Sequence, residues 1–161
     1  MLRTLIAGVL GLVLALPTTH LSAQSTLLPS GVSASGRAFG AWDLPGDKDA
    51  GSARGFLIDL DGRRFALEAK LLPAPVRGGS QGGRMLGVLM PVDRAGVVGR
   101  PVAEVLGGYV AGPDGLGRFE AAITTLSPLP LRIGRIEGRF ADPLERGKDP
   151  VGRFAGRWAL R

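Results

Sequence analysis

The run Gly152-Arg-Phe-Ala-Gly-Arg-Trp-Ala-Leu160 constrains this chain more than any other stretch. Phe154, Gly156, Trp158 and Leu160 share one parity, while Arg153, Ala155, Arg157 and Ala159 take the other. Side chains alternate between the two faces of a strand, so the run predicts a half-buried β-strand with an apolar inner face and a basic outer one. A related run, Gly134-Arg-Ile-Glu-Gly-Arg-Phe140, precedes it across a Pro- and charge-rich break. Gly-Arg followed by an apolar or aromatic residue recurs at 36, 83, 117, 134, 138, 152 and 156, with Gly62-Arg-Arg-Phe65 as a variant. The recurrence has no fixed period, which excludes a solenoid. It reads as a loose hairpin repeat with glycine at the turn or bend, arginine outward and the aromatic inward.

The same logic places a hairpin upstream. Gly55-Phe-Leu-Ile-Asp-Leu60 leads into Asp61-Gly62, and Arg63-Arg-Phe-Ala-Leu-Glu-Ala-Lys-Leu71 leads out. Asp-Gly between two alternating runs is a strong hairpin signal, because a type I′ turn needs positive φ at both central residues. A two-residue loop sets Asp59 opposite Arg64, Ile58 opposite Phe65 and Phe56 opposite Leu67. The apolar pairs then share one face, and a slip of one residue would exchange the faces.

Six further strands follow from alternation and apolar runs: 36–44, 84–92, 102–111, 118–125 and the pair after Ser127-Pro-Leu-Pro130. The stretches 45–52, 72–83, 93–101 and 112–117 are rich in Gly, Pro and Asp and read as loops. A helix over 97–109 is opposed by Pro101 and Gly107-Gly108. Inside a strand those glycines mark a bend, a bulge or a close approach. The apolar parity switches near Gly134, which suits a bulge. The fold class is all-β: an antiparallel up-and-down barrel or curled sandwich of about eight strands.

The N-terminus sets the compartment. Met1-Leu-Arg3 is followed by an apolar run from Leu5 to Leu16, and Leu21-Ser-Ala23 offers small residues for cleavage. Residues 1–23 read as a secretory signal peptide, too short for a spanning helix of about 20 apolar residues. Residues 24–35 form a polar lead-in and 36–161 the β domain. Loss of Arg3 takes 20 basic residues to 19 against 14 acidic ones, a balance of +5. The expected location is periplasmic or extracellular.

Removal of the signal also removes His20, the only histidine, and the chain has no cysteine. Ser-His-Asp and Cys-His mechanisms are thereby excluded from the mature chain, and zinc loses its usual ligands. No phosphate loop with its lysine occurs. Asp59 and Glu68 fall on one polar face of the predicted hairpin, where Arg64 and Lys70 are their expected partners. Asp43, Asp47 and Asp49 have a spacing that fits a solvated turn better than a calcium loop. The reading is therefore of a protein with no catalytic residues, metal or cofactor.

Two tryptophans remain. Gly40-Ala-Trp42 stands on the first strand, and Gly156-Arg-Trp158 on the last. The Gly-x-Trp on the first strand resembles that of the lipocalin and avidin superfamily of ligand-binding barrels. The resemblance covers three residues and implies a tryptophan that helps close one end of a barrel. If the first and last strands are neighbours, the two tryptophans would share an environment. Aromatics fall on the apolar parity, away from the arginines, which argues against stacking on nucleic acid. A lipid-embedded barrel would need apolar residues outside and aromatic girdles at both interfaces, and the chain has only six Phe, two Trp and one Tyr. The expectation is a soluble binding module for a small-molecule or anionic envelope ligand, with Trp42 and Tyr109 supplying contact area and Arg157 charge. The alternative is a structural or assembly protein of the envelope.

Overall fold

The computed structural model describes residues 35–44, 50–74, 80–112, 114, 116–145 and 151–160. The signal segment, the lead-in before Ser35, and Asp47 and Asp49 lie outside the described residues. Eight strands follow one another: β1 Ser35–Asp43, β2 Gly51–Asp59, β3 Arg64–Ala74, β4 Gln81–Val92, β5 Ala103–Ala111, β6 Gly117–Thr125, β7 Arg132–Glu145 and β8 Val151–Leu160. Each pairs antiparallel with the next, and β8 returns to β1, closing the barrel. Closure leaves no unpaired edge, which a sandwich would have to protect by other means. The bulge expected near Gly134 is present: Ile123 pairs with Gly134 and Thr124 with Arg132, leaving Ile133 as the extra residue.

The interior is a packed core. Trp42, Tyr109, Phe119, Phe140 and Phe154 fill one end, with Trp42–Phe140 and Phe119–Phe140 ring centroids both 5.4 Å apart. Phe65 and Trp158 meet edge to face at 6.3 Å at the other end. Leu57, Leu67, Leu71, Met85, Leu89, Val105, Ile123 and Ile136 complete the filling and are all buried. Fully burying an aliphatic or aromatic side chain of this size is worth ~1.5–3 kcal/mol, so sheet closure and core filling stabilise each other.

The rings need floor space, and glycine supplies it. A Cβ on Gly36 would lie 2.5 Å from Trp158 Nε1, and one on Gly152 would run into the Trp42 ring. Trp42 and Trp158 therefore pack reciprocally, each over a glycine of the other's strand. Gly36 pairs with Trp158 and Trp42 with Gly152, which sets the two indoles at opposite ends of the β1–β8 pair. They are neighbours in topology but do not share an environment. The Gly-Arg steps resolve in the same way. Gly36, Gly83, Gly117, Gly134, Gly138, Gly152 and Gly156 lie within strands, not at turns, on the inward parity, and the arginine after each is exposed. The outward placement of arginine is as expected; the glycine's task is to seat a ring or a neighbouring strand.

One register differs from expectation. Ile58 pairs with Arg64, Leu57 with Phe65 and Gly55 with Leu67, one residue away from the two-residue loop. Asp59 is the reason. Its N–H donates to Arg63 O at 3.0 Å, Gly62 N–H donates to Asp59 O at 3.1 Å, and Gly62 has φ +80°. This is a three-residue loop, a type I turn closed by a left-handed glycine. Asp59 Oδ1 accepts from the N–H groups of Asp61 at 2.9 Å and Arg63 at 2.8 Å, which fixes it. The slip turns Leu57 and Asp59 inward and leaves Phe56 and Ile58 outside.

Candidate binding face

The outer surface is where charge collects. Three consecutive strands in the closed sheet carry one pattern: Gly134-Arg-Ile-Glu-Gly-Arg-Phe140 on β7, Gly152-Arg-Phe-Ala-Gly-Arg-Trp158 on β8 and Gly36-Arg-Ala-Phe-Gly-Ala-Trp42 on β1. Glycines and ring-bearing ends face in, and Arg135, Arg139, Arg153, Arg157 and Arg37 face out. Arg118 on β6 and Arg132 on β7 add two more exposed arginines, and Glu120 and Glu137 stand among them.

Cross-strand pairing places these groups in rows. Arg84, Gly108, Glu120, Glu137, Arg157 and Arg37 lie side by side from β4 to β1. Beside that row, Val110, Arg118, Arg139 and Ala155 form another. Gly108, Ala122 and Ala155 are short, so the surface dips between the longer side chains. The result is an open groove of about 1460 Å³ rimmed by Arg84, Arg118, Arg132, Arg139 and Arg157.

Arg118 stands directly opposite Arg139, and Glu120 opposite Glu137. Like charges in such positions destabilise a sheet, by amounts comparable to the ~0.2–1 kcal/mol that opposite charges contribute. Arg157 Nε donates to Glu137 Oε1 at 2.5 Å. No other ion pair engages these arginines among the described residues. The Arg157 hydrogen bond holds the Glu137 carboxyl below its usual range, outweighing the opposing effect of burial, with smaller help from the charges of Arg157 and Arg135.

Two facing carboxylates invite comparison with a glycosidase pair. Such a pair needs one carboxyl kept protonated to act as the acid. Here Glu137 is pushed the other way and Glu120 is exposed. Asp59 and Glu68, expected on one face, stand on opposite sides of the sheet: Asp59 points inward at 5% exposure and Glu68 outward opposite Arg54. Among the described residues no three His, Cys, Asp or Glu side chains come together as metal ligands would.

The three residues singled out in the sequence do not meet. Trp42 is 1% exposed, and its Nε1 donates to Arg153 O at 2.7 Å. Tyr109 is 3% exposed, with its ring 6.1 Å from Phe140. Among the described residues its buried hydroxyl has no partner, and burial pushes its pKa above the usual phenol range. Arg157 is on the outer face and lines the groove. Sequence reasoning missed Arg84, Arg118 and Arg139, although the Gly-Arg recurrence contained all three. The missing step was the cross-strand register, which sets Arg118 opposite Arg139 and which no local pattern states.

Comparison with known proteins leaves the geometry to speak for itself: no family model, no curated protein and no solved structure matches the chain.

Proposed function

We propose that this chain is an exported, non-catalytic binding protein. Its outer sheet face, from β4 to β8, holds an extended anionic ligand of the cell envelope, an acidic polysaccharide in the first place. One observation carries the reading. Arg118 and Arg139 are cross-strand neighbours lining one groove, and neither has a carboxylate partner among the described residues. A sheet gains nothing from that pairing by itself. An anion laid across both guanidinium groups converts a repulsion into two charge-assisted contacts. Arg84 and Arg157 extend the same surface in either direction.

The filled interior supports a ligand on the outside. Export is supported by the signal pattern of residues 1–23. A soluble barrel is favoured by its charge placement, since arginines stand mid-strand on the outer face while the interior is apolar, the reverse of a lipid-embedded barrel.

The test is equilibrium binding of the processed protein to a polyuronate and to a neutral glucan. The polyuronate should bind, with affinity falling steeply as salt rises, and the glucan should not. Arg118→Gln together with Arg139→Gln should weaken polyuronate binding about a hundredfold while raising the melting temperature, because each Arg gives about 1.5 kcal/mol to a charged partner and costs the free sheet. Unchanged affinity in that variant would sink the reading.

A further inference from the structure

A second surface lies around the barrel from the groove. Phe39 and Phe56 face outward at 44% and 40% exposure, with ring centroids 6.4 Å apart. They are cross-strand partners at the middle of an apolar stripe, Ala155–Phe39–Phe56–Ala66–Met90, that crosses five strands. One row on one side runs Arg157–Arg37–Ile58–Arg64, and the row on the other runs Arg153–Ala41–Arg54–Glu68. The arginines in both rows are exposed. The two rows stand four residues apart along the strands, about 13 Å.

We propose that this stripe seats the barrel on a membrane surface rich in anionic lipid. An occupant must be apolar beneath the phenylalanines and anionic along two separate lines. A bilayer interface meets both demands, with acyl chains below a plane of phosphates. A linear polyanion carries its charge along one axis and cannot lie along two rows about 13 Å apart at once. A second copy of this chain would set arginine rows against arginine rows, five cations against Glu68 in each face. The surface is convex and docks from the side, so Phe39 and Phe56 enter first while Arg37, Arg54, Arg64, Arg153 and Arg157 reach the headgroups. This surface and the polyanion face share Ala155, Arg157 and Arg37 at the end of its row, whereas Phe39, Phe56, Arg54 and Arg64 belong to this surface alone, so the two sites are separable.

Co-sedimentation of the processed protein with vesicles of phosphatidylcholine, with and without phosphatidylglycerol, tests the proposal. Binding should require phosphatidylglycerol. Phe39→Ser combined with Phe56→Ser should weaken it about tenfold, the order expected for the apolar area still open on two half-exposed rings, and leave polyuronate binding intact. Arg54→Gln alone should cost about fivefold. A gain-of-signal variant covers the case in which the serine pair folds badly. Both native tryptophans are buried, so Phe39→Trp adds the only exposed indole among the described residues, and its emission should shift to the blue on vesicle addition. Absence of binding to phosphatidylglycerol vesicles, equal binding by the serine variant, or an unshifted indole would each overturn the proposal. So would capture of the stripe by an acidic protein with no vesicle binding.

Discussion

Strands β8 and β2 flank β1 on its two sides, and they spend their aromatic residues in opposite ways. β8 turns Phe154 and Trp158 into the core and arginine outward. β2 turns Gly51, Ala53 and Gly55 inward and leaves Phe56 outside. The cause is space. A Cβ on Gly40 would come 2.6 Å from Phe154 Cε1, and one on Gly55 2.9 Å from Phe154 Cζ. The Phe154 ring therefore occupies the volume above both glycines, and β2 has no room to insert a ring of its own. The exposed Phe39–Phe56 pair is a consequence of what β8 has already placed inside. Apolar character makes a residue eligible for the core; the volume left by distant strands decides whether it enters.

The largest effect expected from this comparison separates the two phenylalanines. Phe154→Ala should cost about 3–5 kcal/mol, as for a large buried aromatic. Phe56→Ala should stay within about 1 kcal/mol, since its ring is outward and already half in water. Midpoints of urea denaturation give both values. Equal costs would mean that the inside-outside assignment of β2 is wrong.

A smaller effect sharpens the cause. Gly152→Ala should destabilise by about 1–3 kcal/mol through overpacking. All three of the nearest atoms its Cβ would meet belong to the Trp42 ring. In a Trp42→Phe background the penalty should shrink, giving a coupling of about 1 kcal/mol in a double-mutant cycle. Gly55→Ala on β2 is the contrast. Its Cβ would meet the Phe39 carbonyl and lie 2.7 Å from Gly40 Cα, both backbone. Shrinking Phe154 should not rescue it.

These differences also explain what the sequence could and could not say. The parity of β8 was legible because its inward and outward residues differ in both size and charge. The strand count, the order and the bulge beside Gly134 followed from local patterns, which left a bend, a bulge or a close approach open at Gly107. At Gly107 a Cβ would come 2.5 Å from that of Ala121. The β2–β3 register was not legible, because both registers bring apolar residues together and the Asp-Gly pair suggests the shorter loop. Two facts outside the local pattern choose between them: the Asp59 side chain caps a longer loop, and Phe154, some hundred positions away in the sequence, fills the space. The rows of outward arginines were hidden for the same reason. Arg37 joins Arg157 only through β1–β8 pairing, and Arg118 meets Arg139 only through β6–β7 pairing.

The smallest effect decides which of those two facts sets the β2–β3 register. Leu60 is 80% exposed in the three-residue loop. Its deletion leaves Asp59, Asp61, Gly62 and Arg63, which is the two-residue Asp-Gly hairpin with Asp59 still opposite Arg63. The Asp59 N–H bond to Arg63 O is already the closing bond of that shorter turn. The strands then keep their present pairing, Ile58 opposite Arg64, and the core is undisturbed. The deletion should change stability by no more than about 1 kcal/mol, the range for exposed loop changes without lost contacts. Cross-strand contacts between Leu57 and Phe65, read by nuclear Overhauser effects, should persist. If the core sets the register, they persist even though the loop that Asp59 capped has been rebuilt. Loss of those contacts, with unfolding at a much lower urea concentration, would mean that the three-residue loop capped by Asp59 is itself needed to hold the register.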